Sequence, residues 1–553
     1  MNKLKERLFT HRNILITLFV IFLFLRLFVN YSSTFLGADS IKYLEVARNF
    51  PYHTLNNNQL FINHGPLYPY VIYFFALIFQ DEFVASLIIS LLAASITFFI
   101  VYRLFMLLFN NFYVTFVALL FFTLSDELII AASIPSKESF TVMLIILSIY
   151  YYIKAVKFYD KKSLLLASLF GGALALTADH VVFLFPTFIL SYIFFNKEGI
   201  NWKKFIFPNL KYAAIPFIIV LLVYTSWIGV KAYQYMNNEF YPSGLEGAPV
   251  PTKGFGVLEL LDPVSFEDYD PNRGRGITLR ARHYAFGLGY MFNMIPFDIP
   301  RGLNLTTMHY LLFPRHVMYM IIIYLPLALI ATFSFLYILK DFIRTKKIYN
   351  NANLYLIAVF LIFLFPLTQK VSSPRYIYAD YLLLYYFIGL GFFMLFKKMK
   401  MLKVYRNLAP LAVALLLILA GFWYYHNSYF VLFNEKFVPA NRTAEFIRTN
   451  LEEDDAIMAQ AGYTHKLNYL TKNRILGLPP LSENLLPLIK YYDIDYVVFG
   501  NYYTYVYYYY AKESIEFIKE HPEKFELVTS IKEDYGDLTR NNKDEVFIYK
   551  VIK

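Results

Sequence analysis

Lysines and arginines fall in clusters along this chain, and long apolar stretches lie between them. That alternation limits the possible folds more than any other feature. The clusters are Lys3, Lys5, Arg7 and Arg12; Lys154, Lys157, Lys161 and Lys162; Lys197, Lys203, Lys204 and Lys211; Lys340, Arg344, Lys346 and Lys347; and Lys397, Lys398, Lys400, Lys403 and Arg406. Two apolar spans of roughly 17 to 25 residues generally separate one cluster from the next, the length that crosses a bilayer. Four spans precede the second cluster, with only Arg103 marking the loop between. Basic residues gather in loops that stay inside a membrane, so the pattern predicts a polytopic chain with its N-terminus inside.

Composition supports this. The 553 residues are 58% hydrophobic and only 16% charged, with 57 Phe and 50 Tyr, far more apolar than a soluble globular protein. The net charge of +11 therefore reads as loop topology, and no nucleic-acid partner is expected. There are no cysteines, so no exported loop carries a disulfide.

Spans are read at 13–31, 83–108, 113–131, 138–156, 163–178, 180–195, 213–232, 317–339, 354–368, 379–396 and 408–426. Eleven crossings put the C-terminus outside. The first has a basic flank like a signal peptide, but its apolar run is too long for one, and it is read as an anchor. The fold class expected is a mostly α polytopic bundle of about 11 transmembrane helices, residues 1–428, followed at 429–553 by an extracytoplasmic α/β domain. Within 429–553, helical patterns (TAEFIRTNLEE, ENLLPLIKYYD, SIEFIKEHPEKF) alternate with strand patterns (DAIMAQA, DYVVFG, FELVTSI, EVFIYKVI), as an α/β domain requires. YYTYVYYYY at 502–510 is read as a packed Tyr-rich strand or helix, with a membrane-facing or sugar-stacking aromatic surface as the alternative. The remaining outer segments are 32–82 and a Gly-, Pro- and Arg-rich loop at 233–316.

Segment 32–82 holds ADSIKYLEVARNF, whose Ile41, Leu44, Ala47 and Phe50 recur at helical spacing while Lys42, Glu45 and Asn49 share another face. This predicts a short helix lying on the outer membrane surface. At its head, Asp39 has a plain reading as an N-cap. Further acids fall on the same side: Asp126 and Glu127 at the outer end of the third span, and Glu138, beside Lys137, opening the fourth. A solvated loop explains them equally well. Charges at the membrane otherwise line a cavity or site, and the span interiors read as nearly free of charge.

Asp39 with Tyr43 and Ala47 downstream, followed by His-Gly-Pro-Leu-Tyr-Pro at 64–69 and SSPRYIYADYLLLYY at 372–386, resembles the GT-C membrane glycosyltransferases. The likeness is to the branch that holds the protein O-mannosyltransferases and the aminoarabinose transferase of lipid A. Gly65 departs from the Pro usual there, and Ser40 stands where many relatives have a second acid. The resemblance implies a sugar transferred from a polyprenyl-phosphate donor, such as dolichyl-phosphate mannose, to a protein, lipid or glycan acceptor at the outer face. It implies Asp39 as the base in an inverting displacement. Lys370, Arg375 and Tyr376 would meet the donor phosphate, with Arg280 and Arg282 of the long loop, Lys137, Glu138 and His64 as further substrate-binding candidates. Lys370 and Arg375 also read as interfacial anchors, and His64 as structural. Oxygen ligands from Asp39, Asp126 and Glu127 suit Mg²⁺ or Mn²⁺, as an option rather than a requirement. The expected location is a prokaryotic cytoplasmic membrane.

A lipid-linked sugar flippase is the alternative, although flippases and other transporters tend to bury ionisable groups at midspan and to show two related halves. An oligosaccharyltransferase is disfavoured, because its Trp-Trp-Asp motif has no counterpart among Trp202, Trp227 and Trp423.

Overall fold

A computed structural model of the chain describes residues 2–32, 38–52, 65–198, 209–236, 325–348, 350–364, 378–398, 438–460, 463, 467, 470–479, 482–500, 511–533 and 544–553. The chain divides into two compact units. The helical unit contains α1 (Asn2–Ser32), α3 (Leu67–Phe79), α4 (Glu82–Phe109), α5 (Phe112–Leu124), α6 (Asp126–Ser133), α7 (Lys137–Phe158), α8 (Lys161–Ala175), a 3₁₀ turn (Asp179–Phe183), α9 (Leu184–Phe195), α10 (Leu210–Met236), α11 (Leu325–Thr345), α12 (Ala352–Phe363) and α13 (Tyr378–Lys398). Among the described residues, His11–Val29, Glu82–Phe109, Lys137–Phe158 and Leu325–Thr345 are long and apolar enough to cross a membrane singly. The expected span at 408–426 lies outside the described residues, as does most of the loop 233–316.

The turns of this unit follow one local rule. Asn110, Tyr159 and Lys346 adopt left-handed backbone (φ 49°, 55° and 51°), which stops α4, α7 and α11. A polar residue beyond each stop caps the following helix: Asn111 accepts from the Val114 amide, Asp160 from Lys162 and Asn351 from Leu354, relieving the orphan donors of a first turn.

Side-chain ties show that these turns share one end of the bundle. His11 stacks on Phe112 at 3.7 Å, Lys157 donates to the Leu107 carbonyl at 3.2 Å, Tyr159 donates to Asn196 at 3.0 Å, and the Asn350 amide donates to the Phe194 carbonyl at 2.8 Å. The basic clusters around residues 12, 157 and 346 therefore lie at this end. The starts of α3 and α7, the end of α5, α6 and the end of α8 lie at the other.

Among the boundaries that differ from the sequence reading, three shape the end that carries the acids. The third span ends at Leu124 rather than 131, because Ser125 starts a separate helix, its hydroxyl accepting from the Leu128 amide. Helix α8 stops at Ala175, and the amides of Leu176 and Ala178 close its last turn. Segment 67–79, read as part of an outer loop, is a 13-residue apolar helix.

The second unit contains α2 (Ala38–Arg48), α14 (Val438–Asn450), α15 (Leu485–Tyr492), α16 (Lys512–Glu520) and a five-stranded sheet of β1 (Ala456–Ala459), β2 (Arg474–Gly477), β3 (Tyr496–Gly500), β4 (Phe525–Glu533) and β5 (Asp544–Val551). The order is β2-β1-β3-β5-β4, parallel for β2, β1 and β3 and antiparallel at β5 and β4. Ile457, Ala459, Ile475 and Val498 join Ala444 and Ile447 of α14 in one buried cluster. In the other, Met458, Val497 and Phe499 join Ile489 of α15 with Ile515 and Ile518 of α16. Alternate strand residues thus feed two layers of helix. The four strand patterns read from the sequence correspond to β1, β3, β4 and β5, while β2 was not anticipated. The Tyr-rich run 502–510 lies outside the described residues.

Helix α2 forms where its periodicity predicted it, but it is no surface-lying amphipath. Glu45, expected on a polar face, is fully buried with Ile41, Tyr43, Leu44, Val46 and Ala47; tertiary packing overrides the two-faced pattern.

Candidate active site

The acidic end of the helical unit is built around residue 26. Arg26 points out of α1, fully buried, with its guanidinium 3.5 Å from the Phe22 ring centroid. It donates to the carbonyls of Phe122 and Thr123 in the last turn of α5, at 3.3 and 3.2 Å, and to its own Phe22 carbonyl at 3.2 Å. The last carbonyls of a helix have no partner within it and carry the negative end of its dipole, so the guanidinium supplies what α5 lacks. The Arg26 carbonyl in turn accepts from Ser133 at the end of α6, at 3.0 Å. One residue of α1 thus holds both flanks of the turn at Ser125, which places Asp126 and Glu127 as the first two residues of α6.

The turn into α7 is fixed from α4. The Ser90 hydroxyl lies 3.2 and 3.3 Å from the carbonyls of Ile134 and Ser136, and Ser136 donates to the Ala131 carbonyl at 3.2 Å. Lys137 and Glu138 begin α7 as the sequence predicted, and both are half-buried. The ring of Tyr68 on α3 lies 5.8 Å from Phe140 of α7.

The 64–69 motif docks at the same end. The Leu67 amide donates to the Leu176 carbonyl at 3.0 Å, and a Cβ on Gly65 would collide with that carbonyl. Glycine at this position therefore permits the backbone of one segment to rest on the backbone of another. The contact sets the start of α3 beside the turn 176–180, which carries Asp179 and His180; neither was selected from the sequence.

The placements divide as follows. Asp126, Glu127, Lys137 and Glu138 share this end. Asp39 lies in the first turn of α2, which opens at Ala38, so it is inside the helix rather than ahead of it as a cap. His64, Arg280, Arg282, Lys370, Arg375 and Tyr376 lie outside the described residues, as do the side chains of Asp39, Asp126 and Glu127. Among the described residues, no group of three or more His, Asp or Glu is placed to hold a metal.

Arg26 and Asp380 correct the expectation of charge-free spans, for both are fully buried in helices read as spans. Asp380 sits in the first turn of α13, inside the very motif 372–386 from which only the Arg-Tyr pair had been selected. A charge interrupting an apolar run was the available signal in each case.

Residues 63–227 match the model of the family described as dolichyl-phosphate-mannose-protein mannosyltransferase. Among solved structures, the fold is similar to the crystal structure of ArnT from Cupriavidus metallidurans bound to undecaprenyl phosphate. The TM-score is 0.55 at 10% identity, covering 96% of this chain and 97% of that one. The apo structure of the same protein matches with a TM-score of 0.54 at 11% identity, over 96% and 97% of the two chains. A search of curated proteins finds no match. The family match and the fold agree with the resemblance to the GT-C membrane glycosyltransferases read from the sequence.

Proposed function

We propose that this chain is a glycosyltransferase that moves a sugar from a polyprenyl-phosphate donor to a hydroxyl of a protein, lipid or glycan acceptor, at the outer face of a prokaryotic cytoplasmic membrane and with inversion. The observation that carries this is the family match over residues 63–227, which spans the helices bearing Asp126, Glu127, Lys137 and Glu138. Undecaprenyl phosphate bound to ArnT supports the donor class. The basic clusters gathered at the opposite end of the helical unit support an inside location for that end. Residues 429–553 form the extracytoplasmic α/β domain in this reading.

The chemistry asks little of the protein. Asp39 takes the proton of the acceptor hydroxyl as its oxygen bonds to the anomeric carbon on the face opposite the phosphate. The bond from that carbon to the phosphate oxygen breaks, and polyprenyl phosphate leaves without needing a proton. One positioned base contributes roughly 10² to 10⁴ in rate. Lys370 and Arg375 stabilise the departing dianion as cations do at developing charge, with Tyr376, Arg280 and Arg282 lining the donor path and His64, Lys137 and Glu138 bordering the sugar. With Ser40 where a second acid would stand, no metal is assigned to this step.

Labelled-sugar transfer by the purified protein from a panel of polyprenyl-phosphate sugars tests the reading. Turnover with one donor, giving the inverted anomer and insensitive to EDTA, is expected. Movement of lipid-linked sugar across vesicles without transfer would refute it in favour of a flippase. Loss of turnover on chelation, restored by Mg²⁺, would make the transfer metal-dependent.

A further inference from the structure

Asp380 is a buried acid that this mechanism leaves without a task. Its side chain is fully covered, and neither carboxylate oxygen meets a hydrogen-bond donor among the described residues. Several buried polar groups of the helical unit find partners: Arg26 has three carbonyls, Ser191 and Tyr355 share a hydrogen bond at 2.7 Å, and Tyr386 donates to Asn353 at 2.6 Å; the hydroxyls of Thr141 and Tyr152 do not, but a hydroxyl is far cheaper to bury than an acid. A carboxyl covered by protein without a donor is costly, and at membrane depth more so. A residue that costs stability without a contact in the fold is kept for a contact made with something else.

Its level in the bundle says where that contact is made. Helix α13 runs antiparallel to α5. A Cβ on Gly389 would lie 2.8 Å from the Val114 carbonyl, Tyr385 stacks on Phe121 at 6.1 Å, and Phe393 lies 6.1 Å from Tyr113. Moving along α13 from Tyr385 to Asp380 therefore moves along α5 from Phe121 to the turn that carries Asp126. Asp380 stands at the acidic end, at the level of the α5–α6 turn.

We propose that Asp380 is a sugar-binding residue, its carboxylate accepting hydrogen bonds from hydroxyls of the sugar on the lipid-phosphate donor. The inference rests on the donor reading above. Paired hydroxyls match a two-oxygen acceptor that has no donor of its own. Because protein covers the carboxylate, the sugar reaches it only by displacing side chains at the head of α13.

The test compares full-length wild type with Asp380→Leu and Asp380→Asn, in thermal stability, in transfer, and in binding of both the sugar-loaded donor and bare undecaprenyl phosphate. Asp380→Leu is expected to melt at or above the wild-type temperature, to bind the sugar-loaded donor at least tenfold more weakly, and to bind bare undecaprenyl phosphate within twofold of wild type. Asp380→Asn, which keeps one acceptor oxygen, is expected to fall between. A lower melting temperature for Asp380→Asn would make the residue structural and overturn the proposal. An equal loss of affinity for both lipids would overturn it as well, assigning Asp380 to the phosphate side. Wild type that binds neither lipid would instead sink the donor reading, and this proposal with it.

Discussion

The sheet of the second unit and the acidic end of the helical unit both bury polar groups, but for different ends. In the sheet, each such contact closes the fold on itself. Gln460, just past β1, accepts the Gly500 amide at 3.0 Å at the end of β3. Asn473 donates to the carbonyls of Glu452 and Asp455 at 2.6 and 3.2 Å, and Ser514 donates to Pro479 at 2.7 Å. These bonds join chain segments where regular pairing stops, which is how a small domain avoids orphan backbone groups. At the acidic end, Arg26 and Ser90 do the same for the turns around α6, while Asp380 at the same level does not. A buried hydroxyl without a partner costs little beside a buried acid without one, and it is the acid that points to a ligand.

The sharpest break between the regions is expected at Asp39. Asp39→Asn should lower transfer by roughly 10² to 10⁴, the worth of a positioned base, with folding and binding of the sugar-loaded donor retained. A fully active Asp39→Asn protein would leave the residue as part of the first turn of α2 and nothing more. Arg26→Gln should come next. It strands two carbonyls of α5, at roughly 1 to 3 kcal/mol each, and releases the turn carrying Asp126 and Glu127. Both thermal stability and turnover should drop, and Arg26→Lys, which keeps the charge without the fork, should recover only part of either. Equal stability of Arg26→Gln and wild type would remove the clamp from the account.

Gly65→Ala should have a smaller and more local effect. Its methyl meets the Leu176 carbonyl, so the start of α3 has to shift, at a cost of roughly 1 to 3 kcal/mol for an overpacked contact. Turnover is expected to fall more than donor binding, because Tyr68 and Glu138 share that end. Wild-type kinetics for Gly65→Ala would show that the docking of the 64–69 motif has no bearing on chemistry.

What could be read from the sequence follows the physics of each signal. Apolar length and basic clustering are strong local signals, so most helices of the bundle fell where expected, and Lys137 was placed correctly at the head of α7. The break at Ser125 was passed over although Ser-Asp-Glu is a helix-start pattern, because the apolar run resumes directly after it; Arg26, distant in sequence, ties both of its flanks. Arg26 and Asp380 were passed over because a single charge barely alters the hydropathy of a long span. Glu45 was assigned to an exposed face because helical periodicity reports two faces and cannot tell how many of them the fold will cover. In the second unit, the four-residue β2, with only Ile475 deeply buried, is too short to show a period.

The smallest effect should come from the sheet, and it decides whether the contrast holds. Gln460→Leu deprives the Gly500 amide of its acceptor at the end of β3, where that group is buried. An unpaired buried amide costs roughly 1 to 3 kcal/mol, so the second unit should lose protection against protease or urea by that amount. Sugar transfer should stay within about twofold of wild type, since a change of 1.4 kcal/mol in the transition state would already be tenfold. A large fall in turnover from Gln460→Leu, with stability unchanged, would mean that the buried polar groups of the sheet also serve the reaction. The difference between the regions would then lie in access to substrate rather than in purpose.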